Sequence, residues 1–159
     1  MNTLGNVVLV SALIVGGAVL GFFLLRLMVS AISPRPDNLG VQNGKLAPCP
    51  SYPNCVSSQA ADEVHAVEPI PYATTLENAR ARILRIVSVL PRSTIVTADD
   101  DYVHVEFRTS GVSHIDDVEF YFDEETDLIQ IRSAARLPYY DFMVNRRRAE
   151  LIRDAFLLE

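Results

Sequence analysis

The first 25 residues carry no charged side chain, and residues 4–25 (LGNVVLVSALIVGGAVLGFFLL) are almost wholly apolar. A helix of that length rises about 33 Å, close to the thickness of one bilayer core. A helix apolar on every side is either buried in a large core or surrounded by lipid. The chain therefore predicts a transmembrane anchor over residues 1–31, with the lipid bilayer as its first partner. A cleaved signal peptide is the competing reading. Such a peptide has a shorter apolar core and a basic leading segment. No Lys or Arg precedes this run, although Val29-Ser30-Ala31 has the small residues of a cleavage site. Gly17 and Gly21 stand at the spacing that lets two membrane helices approach closely. The plainer account is that glycine is frequent in membrane helices. Arg26, Arg35 and Lys45 follow the run, so the positive-inside rule places the rest of the chain in the cytoplasm.

Residues 32–48 hold Pro34, Pro36, Asn38, Gly40, Asn43 and Gly44 without apolar periodicity and read as a linker. Residues 49–159 are enough for one domain with its own core. All charged side chains lie from Arg26 onward, so the formal net charge of −6 belongs almost entirely to the part outside the apolar run. An acidic domain lacks the basic footprint that nucleic acid requires, so no nucleic-acid partner is expected. Pro48, Pro50 and Pro53 force an extended, turning path. A helix is predicted over residues 74–90, where Leu76, Ala79, Ile83, Ile86, Val87 and Leu90 recur at helical spacing and Pro91 ends the run. Four strands follow, over residues 93–98, 102–109, 115–122 and 128–135. In the second, Val103, Val105 and Phe107 alternate with Tyr102, His104, Glu106 and Arg108. A last helix covers residues 142–158 with Asp141 as its N-cap. The fold class is α+β: an N-terminal single transmembrane helix, then a four-stranded antiparallel meander with two helices packed on one face. The other face carries charge and is open to solvent or to a partner.

If Phe122 pairs with Asp127, Val118 faces Ile131 and Phe120 faces Ile129 on the core side. Asp117 then lies across from Arg132, with Glu119 diagonal to it. This predicts an ionic patch on the outer face. Arg132-Ser-Ala-Ala-Arg136 leads through Leu137-Pro138-Tyr139-Tyr140 to Asp141, and Asn145 and Arg146 lie in the first turns of the helix. The short connection brings Asp117, Glu119, Arg132, Arg136, Asp141, Asn145 and Arg146 together as a candidate binding site. Arginine forks suit carboxylate or phosphate. The bland alternative is an internal Asp–Arg network that ties strand to helix.

Cys49 and Cys55 are the only cysteines. Their spacing is not that of thioredoxin-type or zinc motifs. A proline-rich turn can join them in a disulfide, which belongs to an oxidising compartment. A Cys2His2 metal site with His65 and a second histidine can be drawn, but at poor spacing, so no metal and no cofactor is expected. Cys55 or Ser57 can also be drawn as a nucleophile with His65 as base. No nucleophile elbow supports it, and a bonded structural role for His65 is the stronger expectation.

The blocks Cys49-Pro-Ser-Tyr-Pro-Asn-Cys-Val-Ser-Ser, Asp116-Asp-Val-Glu-Phe, Arg132-Ser-Ala-Ala-Arg and Asp141…Val144-Asn-Arg…Arg148 together resemble the bacterial and plastid family known as domain of unknown function 1499. The resemblance covers residues 48–158. It implies a small membrane-associated or exported domain and no established reaction or catalytic residue. The exported habit of relatives favours the periplasmic side of a bacterial inner membrane, or its equivalent, against the charge count. Where family members tend to have glycine before the Val-Asn pair, this chain has Met143. Two functions remain in play. One is a non-enzymatic accessory or assembly module that holds a membrane protein partner. The other is a binding or hydrolytic domain for an anionic small molecule or lipid headgroup, built on Arg132, Arg136 and Arg146.

Overall fold

A computed structural model describes residues 3–31, 33–109, 114–138 and 141–158. Ile32, Tyr139 and Tyr140, which the sequence reading places in the linker and in the strand-to-helix connection, lie outside the described residues, as do Met1, Asn2 and Glu159. The apolar run forms one helix, α1 (Thr3–Ala31). Its segment Gly5–Val29 is long and apolar enough to cross a bilayer.

The rest is α+β. In order come β1 (Cys55–Ser57), β2 (Ile70–Pro71), α2 (Leu76–Val89), β3 (Ser93–Ala98), β4 (Tyr102–Arg108), β5 (Ile115–Asp123), β6 (Leu128–Ala135) and α3 (Val144–Leu158). The predicted meander is present as β3 to β6, but the sheet has six strands. β1 pairs with the free edge of β6 at its far end and β2 with the same edge at its start, both antiparallel. These two strands have three and two residues, too few to show an alternation.

Alternation along the strands divides the sheet into two unlike faces. Val103, Val105, Phe107, Val118, Phe120, Phe122, Ile129 and Ile131 form the core face. Both helices cover it. α2 buries Ala79, Ile83, Ile86 and Val87, and α3 buries Asn145, Ala149, Ile152 and Phe156. Thr75 caps α2 by accepting the Asn78 N–H. Arg82 lies over the Phe156 ring at 4.5 Å and links the two helices.

The β5–β6 register differs from the expected one by two residues. Phe122 faces Ile129, Phe120 faces Ile131, and Glu119 rather than Asp117 faces Arg132. The turn explains the shift. Asp123 stays in the strand opposite Leu128, and its carboxylate accepts the Glu125 N–H and the Thr126 hydroxyl. Asp127 then closes the turn at φ 54°. A two-residue slide keeps every side chain on its face, so the apolar pattern alone does not distinguish the two registers.

Before α3 the chain makes an irregular turn. The Asp141 carboxylate accepts the backbone N–H of Met143 and of Asn145, so it does cap the helix, which begins two residues later than predicted. Phe142 and Met143 sit at φ 55° and 61°, left-handed backbone that costs an L-residue about 1–2 kcal/mol. Met143→Gly should therefore raise stability by about 1 kcal/mol net of the glycine's extra freedom when unfolded. Denaturant unfolding of the detergent-solubilised chain measures it, and an unchanged or lower midpoint would contradict the strain.

Candidate functional site

The second face of the sheet is lined by Tyr102, His104 and Glu106 from β4, Asp117 and Glu119 from β5, and Arg132 from β6. The sequence leaves this face to solvent or to a partner; in the structure the chain's own leading segment covers it. His104, Asp117, Glu119 and Arg132 are all buried, Glu119 completely. The segment read as a linker is laid across them. Its Gly40 N–H donates to Glu119 at 2.8 Å. Arg35 donates through Nε and Nη2 to Glu106 at 3.2 and 2.8 Å. The Ser33 carbonyl accepts from Arg136 at 3.3 Å. Gly40 has φ 105°, a conformation that glycine adopts without steric cost.

Under this strap the charges fall into two linked groups. Arg132 Nη1 donates to Glu119 Oε2 at 2.8 Å, and the Tyr102 hydroxyl donates to Glu119 Oε1 at 2.8 Å. Burial, and then the Glu119 charge, push the Tyr102 phenol well above its ordinary range. Asp117 faces Ala134, whose small side chain leaves room beside the carboxylate. Arg136, just past the end of β6, fills that room. Its Nε and Nη2 reach the two oxygens of Asp117 at 2.8 Å each, and Nη2 also donates to Glu106. His104 Nε2 lies 2.8 Å from Asp117 Oδ1. Burial acts to raise the Asp117 pKa, but Arg136 and His104 outweigh it and hold the carboxyl below its ordinary value. Glu106 is lowered in the same way, against burial, by Arg35 and Arg136. The Arg132 Nε is buried without a hydrogen-bond partner.

The remaining candidates lie on the other side of the sheet, at the start of α3. Asn145 is fully buried. Its Oδ1 accepts from Ser133 Oγ at 2.6 Å and from Arg148 at 2.9 Å, and its Nδ2 donates to the Asn54 carbonyl at 3.1 Å. Arg148 also reaches Asp116 at 2.8 Å and stacks on Phe107 at 4.6 Å. Arg146 caps the carbonyls of Val64 and Ala66 instead of joining Arg132 and Arg136. The predicted set is thus split: Asp117, Glu119, Arg132 and Arg136 share one face, while Asp141, Asn145 and Arg146 belong to the other.

Sequence reasoning missed several participants. Tyr102, His104 and Glu106 were legible as outward members of β4. Asp116 carries the parity of Val118 and Phe120, an acid aligned with the core, which is itself a signal that a cation must meet it. Arg148 lies one helical turn from Asn145. Arg35 had no signal at all.

Cys49 and Cys55 are joined in a disulfide with Cα atoms 5.6 Å apart. The bond secures the approach to β1, where the Asn54 side chain donates to the carbonyls of Ala135 and Leu137. His65 is a bonded structural residue: its ring spans Asp62 at 2.8 Å and the Tyr52 carbonyl at 3.1 Å. Ser57 Oγ accepts the Gln59 N–H. Among the described residues no group of three or more His, Cys, Asp or Glu side chains could hold a metal ion.

These features define a class: a small α+β domain whose sheet is closed by two helices on one side and by its own leading strap on the other, preceded by an apolar helix. The family model described as protein of unknown function (DUF1499) matches residues 45–156, and the chain belongs to that family. No curated protein matches it.

The three acids give opposite pH signatures. Asp117 and Glu106 have lowered pKa values in the fold, so their contribution is present above the ordinary carboxylate range near pH 4 and is lost as pH falls through the folded values. Asp116 is raised by burial despite Arg148, so its share of stability declines as pH rises from its unfolded value to its folded one. Arg148→Met keeps the apolar stem but strands Asp116. The variant should lose about 3 kcal/mol at pH 8 and clearly less at pH 5, where Asp116 can take up a proton. Equal losses at both pH values would rule out an ionised Asp116 as the cause.

Proposed function

We propose that the protein is a single-pass membrane protein whose folded domain is a non-enzymatic accessory or interaction module, presented to a membrane protein partner on the periplasmic side of a bacterial inner membrane or its equivalent. The observation that carries the reading is the strap. Hydrogen bonds from residues 33, 35 and 40 pin the domain only a few residues after the apolar helix. A tether spent in this way cannot let the domain roam, which suits a module that presents one fixed surface beside its anchor.

Two further features support it. Gly16, Gly17 and Gly21 have open space around them, so a second helix can approach that side of α1. The Cys49–Cys55 disulfide suits an oxidising compartment. The alternative, an anionic ligand held by Arg132, Arg136 and Arg146, has less support. Arg132 and Arg136 are already matched by Glu119, Asp117 and Glu106, and Arg146 is occupied by backbone carbonyls.

Cross-linking in native membranes, followed by purification of the full chain in mild detergent, tests the reading. A membrane protein should co-purify with the wild type. Gly17→Leu combined with Gly21→Leu should remove it while leaving the chain folded and in the membrane fraction. A monomer with no cross-linked partner would refute the accessory role, and an amino terminus found near Ile32 in the mature protein would refute the anchor. A carboxy-terminal reporter fusion reads the side of the membrane.

A further inference from the structure

The two ends of the sheet differ in charge, although Glu63 and Asp141 also lie near the start of α3. At one end of the sheet the β3–β4 and β5–β6 turns expose Asp99, Asp100, Asp101, Glu124, Glu125 and Asp127. The opposite end is where Arg108 pairs with Ile115 and Asp116 with Ala135. There, between the end of α2, the end of β4 and the start of α3, lies a cavity of about 360 Å³. Four arginines line it, Arg92, Arg108, Arg147 and Arg148, with apolar walls from Leu90, Phe107 and Leu151. Among the described residues no carboxylate lines it. Arg148 is matched by Asp116, and Arg108 lies 3.8 Å from Glu106. Arg92 and Arg147 are exposed and have no carboxylate partner among the described residues. Next in sequence to Val144 of that lining, the turn before α3 exposes Phe142 by 76% and Met143 by 45%.

The same end is the one that α1 enters. Ser33 is held by Arg136, which follows β6, and Arg35 by Glu106, next to Arg108. The apolar segment of α1 ends at Val29. Four residues reach at most about 14 Å, and the headgroup layer on each side of a bilayer is itself about 5–7 Å thick. The covalent connection therefore keeps this end at the membrane surface.

From this we propose that the α1-proximal end of the domain is a lipid-binding surface. The arginine cavity receives the phosphate of an anionic phospholipid headgroup, and Phe142 and Met143 enter the interfacial layer beside it. The acidic turns at the far end are held away from the negative surface. The chemistry fits: guanidinium forks match phosphate oxygens, and basic residues joined to exposed apolar ones are the mark of a membrane-surface element. The proposal rests on α1 being a retained anchor.

The chain has no tryptophan, so Phe142→Trp supplies a single reporter. The full-length variant is reconstituted into vesicles of neutral phosphatidylcholine, or of the same lipid with phosphatidylglycerol, each with and without brominated acyl chains. Flotation reads anchoring, and quenching reads contact. The expected result is a chain that floats in both, with a blue-shifted indole quenched strongly in the anionic vesicles. Arg92→Glu with Arg147→Glu should reverse this, since each basic residue near an anionic surface is worth roughly fivefold in local affinity. A reporter at the far end, Glu125→Trp, should stay unquenched. A floating chain with an unquenched Trp at 142, or with quenching indifferent to the arginine substitutions and to lipid charge, overturns the proposal and leaves the anchor standing. A chain that does not float overturns both. Millimolar inorganic phosphate should not abolish the quenching; if it does, a soluble phosphate is the ligand and the lipid surface is not.

Discussion

The structure depends on charge matching under the strap. Glu119 and Asp117 are removed from water almost completely, and a buried carboxylate without a partner would cost several kcal/mol. Each has a guanidinium at 2.8 Å, and Glu119 accepts two further hydrogen bonds. A buried ion pair is no more stabilising than well-packed apolar side chains of the same size. Its value here lies in selection. The expected and the observed β5–β6 registers bury the same apolar residues. Only the observed one sets Glu119 opposite Arg132 and a small residue, Ala134, opposite Asp117. The charges thus choose between pairings that hydrophobicity leaves degenerate.

The same matching decides what the leading segment does. The outer face of an antiparallel sheet is usually solvated. Here its acids outnumber the arginines that β4, β5 and β6 place on that face, and the strap supplies the missing donors through Arg35 and the Gly40 amide. The face is therefore complete only when residues 33–40 lie on it. A segment that looks like a spacer in composition is part of the fold in energetic terms. This is why a domain with two covered faces can be built from so short a chain.

How much of this was legible in the sequence follows from the range of each interaction. Helix α2, the four meander strands and the core residues were readable, because apolar periodicity is local and strong. β1 and β2 were not, because two or three residues show no period. The ionic residues could be assigned to a face by parity but not to partners, because partner choice depends on the register and the register depends on where the turn begins. The Asp123 side chain starts that turn one residue later than the spacing suggested. The strap was invisible, since its ties span 71 and 79 residues of sequence. Arg146 was misplaced for a different reason. Consecutive residues of a helix point about 100° apart, so Asn145 and Arg146 cannot serve one small site, and only Asn145 has the parity to meet Ser133.

The division of labour among the arginines carries the functional argument furthest. Arg132, Arg136 and Arg148 face inward and answer to carboxylates of the domain itself. Their conspicuous spacing makes them look like a ligand site, yet their charge is spent on the fold. Arg92 and Arg147 carry no such obligation and stand together at the end of the sheet where the apolar helix joins. On a chain with a formal net charge of −6, two uncompensated arginines beside an exposed Phe-Met pair run against the general charge of the surface. Long-range repulsion from a negative membrane would push such a domain away. Under the lipid-surface proposal, the acidic turns at the far end and Arg92 and Arg147 at the near end, whose charges meet no carboxylate among the described residues, would turn that repulsion into an orienting torque.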